Sequence, residues 1–248
     1  MEYTEEVCSL SGGKDSVAML LKCNNKNSVF YDTGKEFTAI YNVMEKLKRI
    51  GFDIVTLKSS NTFDYQMFDR PVCKRGTKEI HKYGYGWCGG TCRWGTTEKL
   101  KLLDRHAKIN NCKMAIGIAF DEKNRIEKER KDYKVMPLVD LKMTESDCLK
   151  FCYEKGIKWL EKTASKFDVP EYIDLYSILK RVSCWCCRNK NLKELKNYYI
   201  YFTYSYWEML KELEQKIGVK MKGNKWLWEY EEKWEKEILA EKALKEGK

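Results

Sequence analysis

Short apolar segments alternate with helical patterns through the N-terminal half of the chain. Four of these segments read as buried strands bounded by turn residues: 6–11, 28–31, 54–57 and 113–119. Three segments between them carry apolar residues at helical spacing: 16–22, 37–50 and 96–107. Because strands that alternate with helices assemble into parallel sheets, the sequence predicts an α/β fold with a mostly parallel, twisted sheet and crossover helices.

The pattern changes after the middle of the chain. Thr144 followed by an acid three residues on is typical of a helix start, and that helix should end at Gly156. Beyond about residue 169 we predict no further strands, only helices over 191–197, 205–217 and 225–246. The predicted organisation is therefore a nucleotide-binding α/β domain over residues 1–168. A cysteine-containing loop and helical extension over 169–248 should pack on that domain or on a second copy, as in a homodimer.

A glycine-rich turn lies between the first predicted strand and the first predicted helix. Two glycines let the backbone turn tightly and approach a ligand, and the following helix start offers free N–H groups to phosphate. Hydroxyl and ammonium groups at this turn add further donors. The motif consists of Ser11, Gly12, Gly13, Lys14, Asp15 and Ser16, which we call the phosphate loop. Its spacing differs from that of the Walker A motif.

A second polar segment follows the second predicted strand. Ligands of parallel sheets bind beyond the carboxyl ends of the strands, so Asp32, Thr33 and Gly34 should lie next to the phosphate loop. Asp32 is then placed to hold Mg²⁺ or a ribose hydroxyl, and Asp15 is a second candidate for the metal. The alternative is that residues 32–34 only form a turn and a helix cap.

The chain has 11 cysteines, which is an odd number and excludes complete pairing within one chain. Five of them occur in predicted strands or helices or beside them, and we expect these to be core residues: Cys8, Cys23, Cys112, Cys148 and Cys152. Clustered cysteines in an intracellular protein more often serve metal or thiol chemistry than disulfides.

Two polar cysteine clusters remain. Cys88 and Cys92 are separated by three residues in a glycine-rich segment, and Cys184 and Cys187 form a C-x-x-C pair, with Cys186 as a possible substitute. Four thiolates from two loops suit either a [4Fe–4S] cluster or a tetrahedral Zn²⁺ ion. Core packing and a redox disulfide are the remaining alternatives.

The net charge of +10 fits either a solvated surface or an anionic partner. A basic loop at residues 74–78 either covers substrate phosphates or is simply solvated, and an aromatic run at 198–207 either packs between helices or stacks on bases. No apolar run approaches the roughly 18 residues that a membrane span needs, and no signal-peptide core follows the N-terminus. We therefore expect no membrane partner and a location in the cytoplasm.

The phosphate loop resembles the SGGxDS loop of the PP-loop ATP pyrophosphatase superfamily. Further segments resemble its phosphoadenosine phosphosulfate (PAPS) reductase-like branch, near the DNA phosphorothioation sulfurtransferases. These are residues 30–37, similar to a DTG-E-F segment; residues 117–122 with Arg125, similar to G-x-x-x-D-E-x-x-R; and residues 136–145, with a P-L and an M-T-E element. Some relatives carry a cysteine where this chain has Gly95.

The resemblance implies an adenine nucleotide alpha hydrolase-like fold that binds ATP or a related adenylyl nucleotide, usually with Mg²⁺. It adds Gly117, Asp121, Glu122 and Arg125 to the nucleotide site, although Asp121 and Glu122 also read as a solvated acidic loop. Lys14, Asp15 and Asp32 would be the catalytic residues. Some relatives bind a [4Fe–4S] cluster.

One departure from the family bears on the reaction. PAPS reductases proper attack with a cysteine in a C-terminal tail, and no cysteine follows Cys187 here. The leading prediction is therefore activation of a substrate by adenylylation, followed by sulfur transfer with the cysteine-bound cluster. Sulfonucleotide reduction of the PAPS/APS type and a non-catalytic, zinc-stabilised nucleotide- or nucleic-acid-binding module are the alternatives. The sulfur donor is unknown, and tRNA or DNA is a possible substrate.

Overall fold

The computed structural model of the chain describes residues 3, 5–24, 27–87 and 92–246. Its strands are β1 (Glu5–Leu10), β2 (Asn27–Tyr31), β3 (Asp53–Leu57), β4 (Pro71–Cys73), β5 (Ile80–Tyr83), β6 (Cys112–Ile116), β7 (Lys134–Val135), β8 (Leu160–Lys162) and β9 (Tyr172–Asp174). Its α-helices are α1 (Lys14–Cys23), α2 (Thr38–Arg49), α3 (Lys99–Ile109), α4 (Lys123–Glu129), α5 (Pro137–Asp140), α6 (Glu145–Glu154), α7 (Leu175–Ile178), α8 (Leu192–Tyr201), α9 (Glu208–Ile217) and α10 (Leu227–Glu246). Three π-helical turns are Tyr65–Asp69, Arg93–Glu98 and Thr203–Trp207.

The main sheet has five parallel strands in the order β3-β2-β1-β6-β7. From β1 the chain moves outward through β2 to β3, and it then returns to the other side of β1 with β6 and β7. The strand order therefore reverses between β1 and β6, which is where open parallel sheets bind their ligands. The predicted α/β fold with a parallel sheet and crossover helices is confirmed.

The fourth predicted strand ends earlier than its apolar pattern indicated. β6 stops at Ile116, and the chain then runs against the start of α1. A Cβ atom at Gly117 would lie only 2.6 Å from the Cα atom of Ser16, so glycine alone fits this crossing. The apolar pattern continues because Ile118 and Ala119 are buried outside the sheet.

Most of the cysteines that were predicted to be core residues are fully buried. Cys8, Cys112, Cys148 and Cys152 have no exposed surface, whereas Cys23 at the end of α1 is half-buried. Burial raises the pKa of the Cys8, Cys148 and Cys152 thiols to about 12. Because the thiolate is the reactive form of cysteine, these thiols are packing residues rather than nucleophiles.

The sequence did not predict the short strands outside the main sheet. The basic loop at residues 74–78 connects the two strands of an antiparallel hairpin, β4 and β5, and β8 pairs with β9. The expectation of no strand beyond residue 169 is wrong, because β9 covers residues 172–174. Strands of two to four residues carry too few positions to show an alternating pattern.

The C-terminal segment is mainly helical, as predicted, with α8, α9 and α10 close to the expected ranges. Four members of the aromatic run are fully buried: Tyr198, Tyr199, Phe202 and Trp207. Tyr199 and Trp207 contact each other and Trp234 with ring centroids 5.5–6.1 Å apart. These rings pack between helices and are not available to stack on bases. No helix in the described ranges is both long and apolar enough to cross a membrane.

The residues group into two compact units that interleave along the chain. The first unit comprises residues 1–60, 94–161 and 181–184, and the second comprises 61–93, 162–180 and 185–248. The main sheet belongs to the first unit, and α8, α9 and α10 belong to the second. The sequence predicted a single domain boundary, after residue 168, and this boundary stays a prediction.

A buried carboxylate stabilises the C-terminal helices. Glu214 accepts hydrogen bonds from the backbone N–H groups of Met221 and Leu227, each at 2.7 Å. We expect Glu214→Ala to lower the free energy of unfolding by about 2–4 kcal/mol, because both donors would stay buried without an acceptor. Urea unfolding measures the change. Glu212→Ala on the exposed face of the same helix is the matched control, and equal losses in both variants would contradict the assignment.

Candidate active site

The phosphate loop joins the carboxyl end of β1 to the first turn of α1. Gly12 has a φ of +77°, which only glycine adopts without strain, and Gly13 starts the helix with no side-chain cap. The N–H groups of the first helical turn are therefore not satisfied by a capping side chain. The predicted turn and helix start are both present at the point where the strand order reverses.

Hydrogen bonds inside the loop fix its shape. The Ser16 hydroxyl donates to the Gly13 carbonyl at 3.0 Å and accepts from the Ser11 N–H at 3.1 Å. The Ser11 and Ser16 hydroxyls lie 3.0 Å apart. Ser16 is buried, so its hydroxyl organises the loop, whereas the exposed Ser11 is the hydroxyl available to a ligand.

The indole of Trp159 supports the phosphate loop through a hydrogen bond. Trp159 is fully buried, and its Nε1–H donates to the Gly12 carbonyl at 2.6 Å. The Cys152 thiol donates to the Lys14 carbonyl at 3.5 Å. These two contacts fix the backbone carbonyls of Gly12 and Lys14 at the start of α1.

Lys14 carries a buried positive charge. Its side chain is only 7% exposed, and its Nζ lies 2.8 Å from one carboxylate oxygen of Asp15 and 3.7 Å from Glu145. A buried ammonium is tolerated only when it is paired in this way. Burial raises the pKa of Asp15, and the nearby Glu145 and Glu122 raise it further, although Lys14 opposes them.

Three carboxylates converge beside Lys14. Single oxygens of Asp15, Glu122 and Glu145 all lie within 4.8 Å of one another, and we call this group the carboxylate triad. Its three residues come from the start of α1, the turn before α4 and the first turn of α6. Carboxylate oxygens are the ligands that Mg²⁺ and Ca²⁺ prefer, so the donor set suits a hard divalent cation.

Two arginines neutralise the triad together with Lys14. Arg125 Nη1 lies 2.7 Å from a Glu122 oxygen. Arg181 Nη2 contacts Glu122 and lies 3.4 Å from Glu145. The side chain of Arg181 is 58% exposed, whereas that of Glu122 is 7% exposed, so the guanidinium covers the carboxylate on its solvent side.

Asp121 differs in role from its neighbour Glu122. Its Oδ1 accepts the backbone N–H of Glu145 at 3.0 Å, which fixes the first turn of α6 beside the triad. The same turn carries the predicted helix start, because Thr144 and Asp147 form a capping box. Asp121 thus positions Glu145, and it lies outside the group of three converging carboxylates.

Residues 32–34 form a turn, which was the alternative prediction for this segment, and the side chain of Asp32 stabilises it. Its oxygens accept from the Gly34 N–H and the Tyr41 hydroxyl, both at 2.7 Å, and pair with Lys58 at 3.0 Å. Burial pushes the pKa of Asp32 upward, but these three donors outweigh it and hold the pKa below its usual value. A role for Asp32 toward Mg²⁺ or ribose stays a prediction.

A cavity of about 130 Å³ lies at the carboxyl ends of β1 and β6. Ser11, Ser16 and Gly117 line one part of it, and the cationic side chains of Lys99 and Arg125 line another. Burial lowers the pKa of Lys99, although the nearby Glu36 and Cys184 oppose the shift. Asp104 and Glu129 also line the cavity, so it combines the wall of the phosphate loop with side chains of both charges.

The described residues of neither unit bring three of the predicted metal-binding cysteines together. Cys88 lies outside the described residues, Cys92, Cys186 and Cys187 belong to the second unit, and Cys184 belongs to the first. Within neither unit do the described residues place three thiols within 4.8 Å of one another. A [4Fe–4S] or Zn²⁺ site on Cys88, Cys92, Cys184 and Cys187 stays a prediction.

Three residues of the site were not among the predicted site residues: Glu145, Lys99 and Arg181. Glu145 was noted only as an acid in a helix start and in the M-T-E element. Lys99 and Arg181 carry no local motif, because the fold brings them to the site from distant parts of the chain. Of these three residues, only Glu145 lies in a sequence motif that could have indicated its place in the site.

We expect Trp159→Phe to lower the free energy of unfolding by about 1–3 kcal/mol, because the Gly12 carbonyl would lose its buried donor while the aromatic packing is largely kept. Urea unfolding followed by circular dichroism measures the change. Trp228→Phe removes the same N–H from a half-exposed side chain and should cost almost nothing. Equal effects of the two substitutions would rule out the proposed support of the loop.

Comparison with known proteins assigns no family to this geometry. No protein-family model matches the chain, and no curated protein matches it. Membership of the PP-loop superfamily therefore stays a prediction.

Proposed function

We propose that the chain binds ATP through the phosphate loop and transfers its adenylyl group to an acceptor, with release of pyrophosphate. An acceptor oxygen would attack the α-phosphorus, and the bond from that phosphorus to the bridging oxygen of the β-phosphate would break. One observation carries the proposal: the buried ammonium of Lys14 lies in the loop at the helix start, directly beside three converging carboxylates.

The loop and Lys14 supply binding and charge stabilisation. Phosphate oxygens accept well from N–H groups at a helix start, where the helix dipole also favours negative charge. Lys14 would exchange part of its pairing with Asp15 and Glu145 for the phosphates. Its charge would then stabilise the negative charge that builds up on the leaving pyrophosphate.

The carboxylate triad fits Mg²⁺. Asp15, Glu122 and Glu145 would hold the ion through oxygen atoms, in keeping with the donor set that Mg²⁺ prefers. When bound, Mg²⁺ neutralises phosphate charge and lowers the cost of bringing the polyphosphate beside three carboxylates. Arg125 would then be free to contact the nucleotide instead of the triad.

The cavity beside the loop would receive the nucleoside or the acceptor. It opens where β1 and β6 end, and Gly117 lets its wall approach the loop closely. The choice of adenine as the base rests on the resemblance of residues 11–16, 30–37 and 117–125 to the PP-loop enzymes. The shape of the cavity does not enter this choice of nucleotide.

Sulfur transfer to the adenylylated acceptor is the second step of the proposal. It rests on the resemblance and on Cys184, whose thiol lies 3.5 Å from the Thr33 hydroxyl just beyond β2. A donor at the oxidation level of sulfide would attack the acceptor carbon that bears the adenylylated oxygen. The new carbon–sulfur bond would form as the carbon–oxygen bond breaks, and AMP would leave with that oxygen. A cluster on the predicted cysteines, sulfonucleotide reduction and a role for tRNA or DNA remain separate hypotheses.

We expect Lys14→Ala to weaken the binding of α,β-methylene-ATP with Mg²⁺ by about 10- to 100-fold, the range for losing one charge-assisted contact to phosphate. Isothermal titration calorimetry measures the affinity, and release of pyrophosphate from ATP measures the reaction. Lys22→Ala removes the same charge from the other end of α1 and should leave both values unchanged. Equal affinities for wild type and Lys14→Ala would contradict the proposal.

We also expect Glu122→Gln and Glu145→Gln each to raise the Mg²⁺ concentration for half-maximal nucleotide binding by about tenfold or more, because each removes one charged ligand. Titration of Mg²⁺ at fixed nucleotide concentration measures the shift. Glu127→Gln, on the exposed part of α4, should have no effect. An unchanged Mg²⁺ requirement in both triad variants would show that the triad does not hold the ion.

A further inference from the structure

Residues 181–184 form a short segment whose two ends are held by side-chain contacts, and we call it the strap. None of these four residues lies in a helix or strand, so no ladder of backbone hydrogen bonds fixes its course. The strap belongs to the first unit, although the residues before and after it along the chain belong to the second.

The first end of the strap is anchored on the carboxylate triad. Arg181 binds Glu122 and Glu145 with its guanidinium, as described above. A divalent cation that binds the triad must take the same carboxylate oxygens. Binding of the cation and retention of Arg181 therefore compete, and the more highly charged ion is the stronger competitor at a site of oxygen ligands.

The second end is anchored beyond β2. The Cys184 thiol donates to the Thr33 hydroxyl at 3.5 Å and to a Glu36 carboxylate oxygen at 3.7 Å. Thr33 in turn donates to the same Glu36 oxygen at 2.6 Å. The thiol is thus only partly exposed and is held between a hydroxyl and a carboxylate, which restricts the approach of an electrophile to its sulfur.

We propose that the strap couples the two ends, so that occupation of the triad releases Cys184. When Mg²⁺ and nucleotide bind, Arg181 leaves Glu122 and Glu145, the strap loses one anchor, and the Cys184 thiol leaves Thr33 and Glu36. The Cys184 thiol becomes accessible to an electrophile only when the nucleotide is in place, and the strap shields it before the nucleotide binds. This inference rests on the proposed function for the identity of the ligand.

The first test needs no ligand. The rate at which iodoacetamide alkylates Cys184 in the full chain is measured by peptide mass spectrometry, with the exposed Cys73 as internal reference. Arg181→Gln should react at Cys184 about tenfold faster than wild type, the change expected from losing a charged contact. Arg181→Lys should stay near the wild-type rate, and so should Lys180→Gln, which removes a charge one residue earlier. An unchanged Cys184 rate in Arg181→Gln, with the fold intact by circular dichroism, would overturn the proposal.

The second test uses wild type with Mg²⁺ and α,β-methylene-ATP. Cys184 should approach the rate of Arg181→Gln, while the Cys73 rate stays constant. Calorimetry on the same samples separates the two hypotheses. Bound nucleotide with an unchanged Cys184 rate overturns the coupling and leaves the proposed function standing. Absence of nucleotide binding contradicts the proposed function, and the Arg181→Gln rate still decides whether the strap holds the thiol.

Discussion

The site depends on the pairing of β1 with parallel strands on both sides. Because β2 and β6 run in the same direction as β1, the carboxyl ends of all three strands meet at one edge of the sheet. The phosphate loop, the Asp32 turn and the Gly117 crossing each follow one of these strands. A strand order in which β6 did not pair with β1 would separate Glu122 from Asp15 and remove the carboxylate triad.

Charge balance is the second constraint on this edge. Three carboxylates lie beside one buried ammonium, and two arginines reach them from the solvent side. Such a group is stable only while its charges are paired, since an unpaired buried charge is costly. The same balance supports the proposed function, because a bound polyphosphate and a divalent cation would together replace both the anionic and the cationic partners of the site.

The sequence was sufficient for the parts of the fold that carry local patterns. Buried strands, the Gly12 turn and the Thr144 helix start each appear within a few residues of where they were expected. Arg181 and Lys99 were missed because their role arises from contacts with residues such as Glu122 and Glu36, far away along the chain. A role for Ser16 toward phosphate stays a prediction, and its hydroxyl also makes a contact that the sequence did not indicate, to the Gly13 carbonyl. Such contacts depend on tertiary packing, which local periodicity does not encode.

The central claim is that the phosphate loop and the carboxylate triad form one nucleotide site. The most direct measurement is a crystal structure of the full chain with Mg²⁺ and α,β-methylene-ATP. The account predicts phosphates against the N–H groups of residues 12–16 and a metal ion on Asp15, Glu122 and Glu145. A nucleotide bound elsewhere, or phosphates bound without any contact to the loop or Lys14, would contradict it.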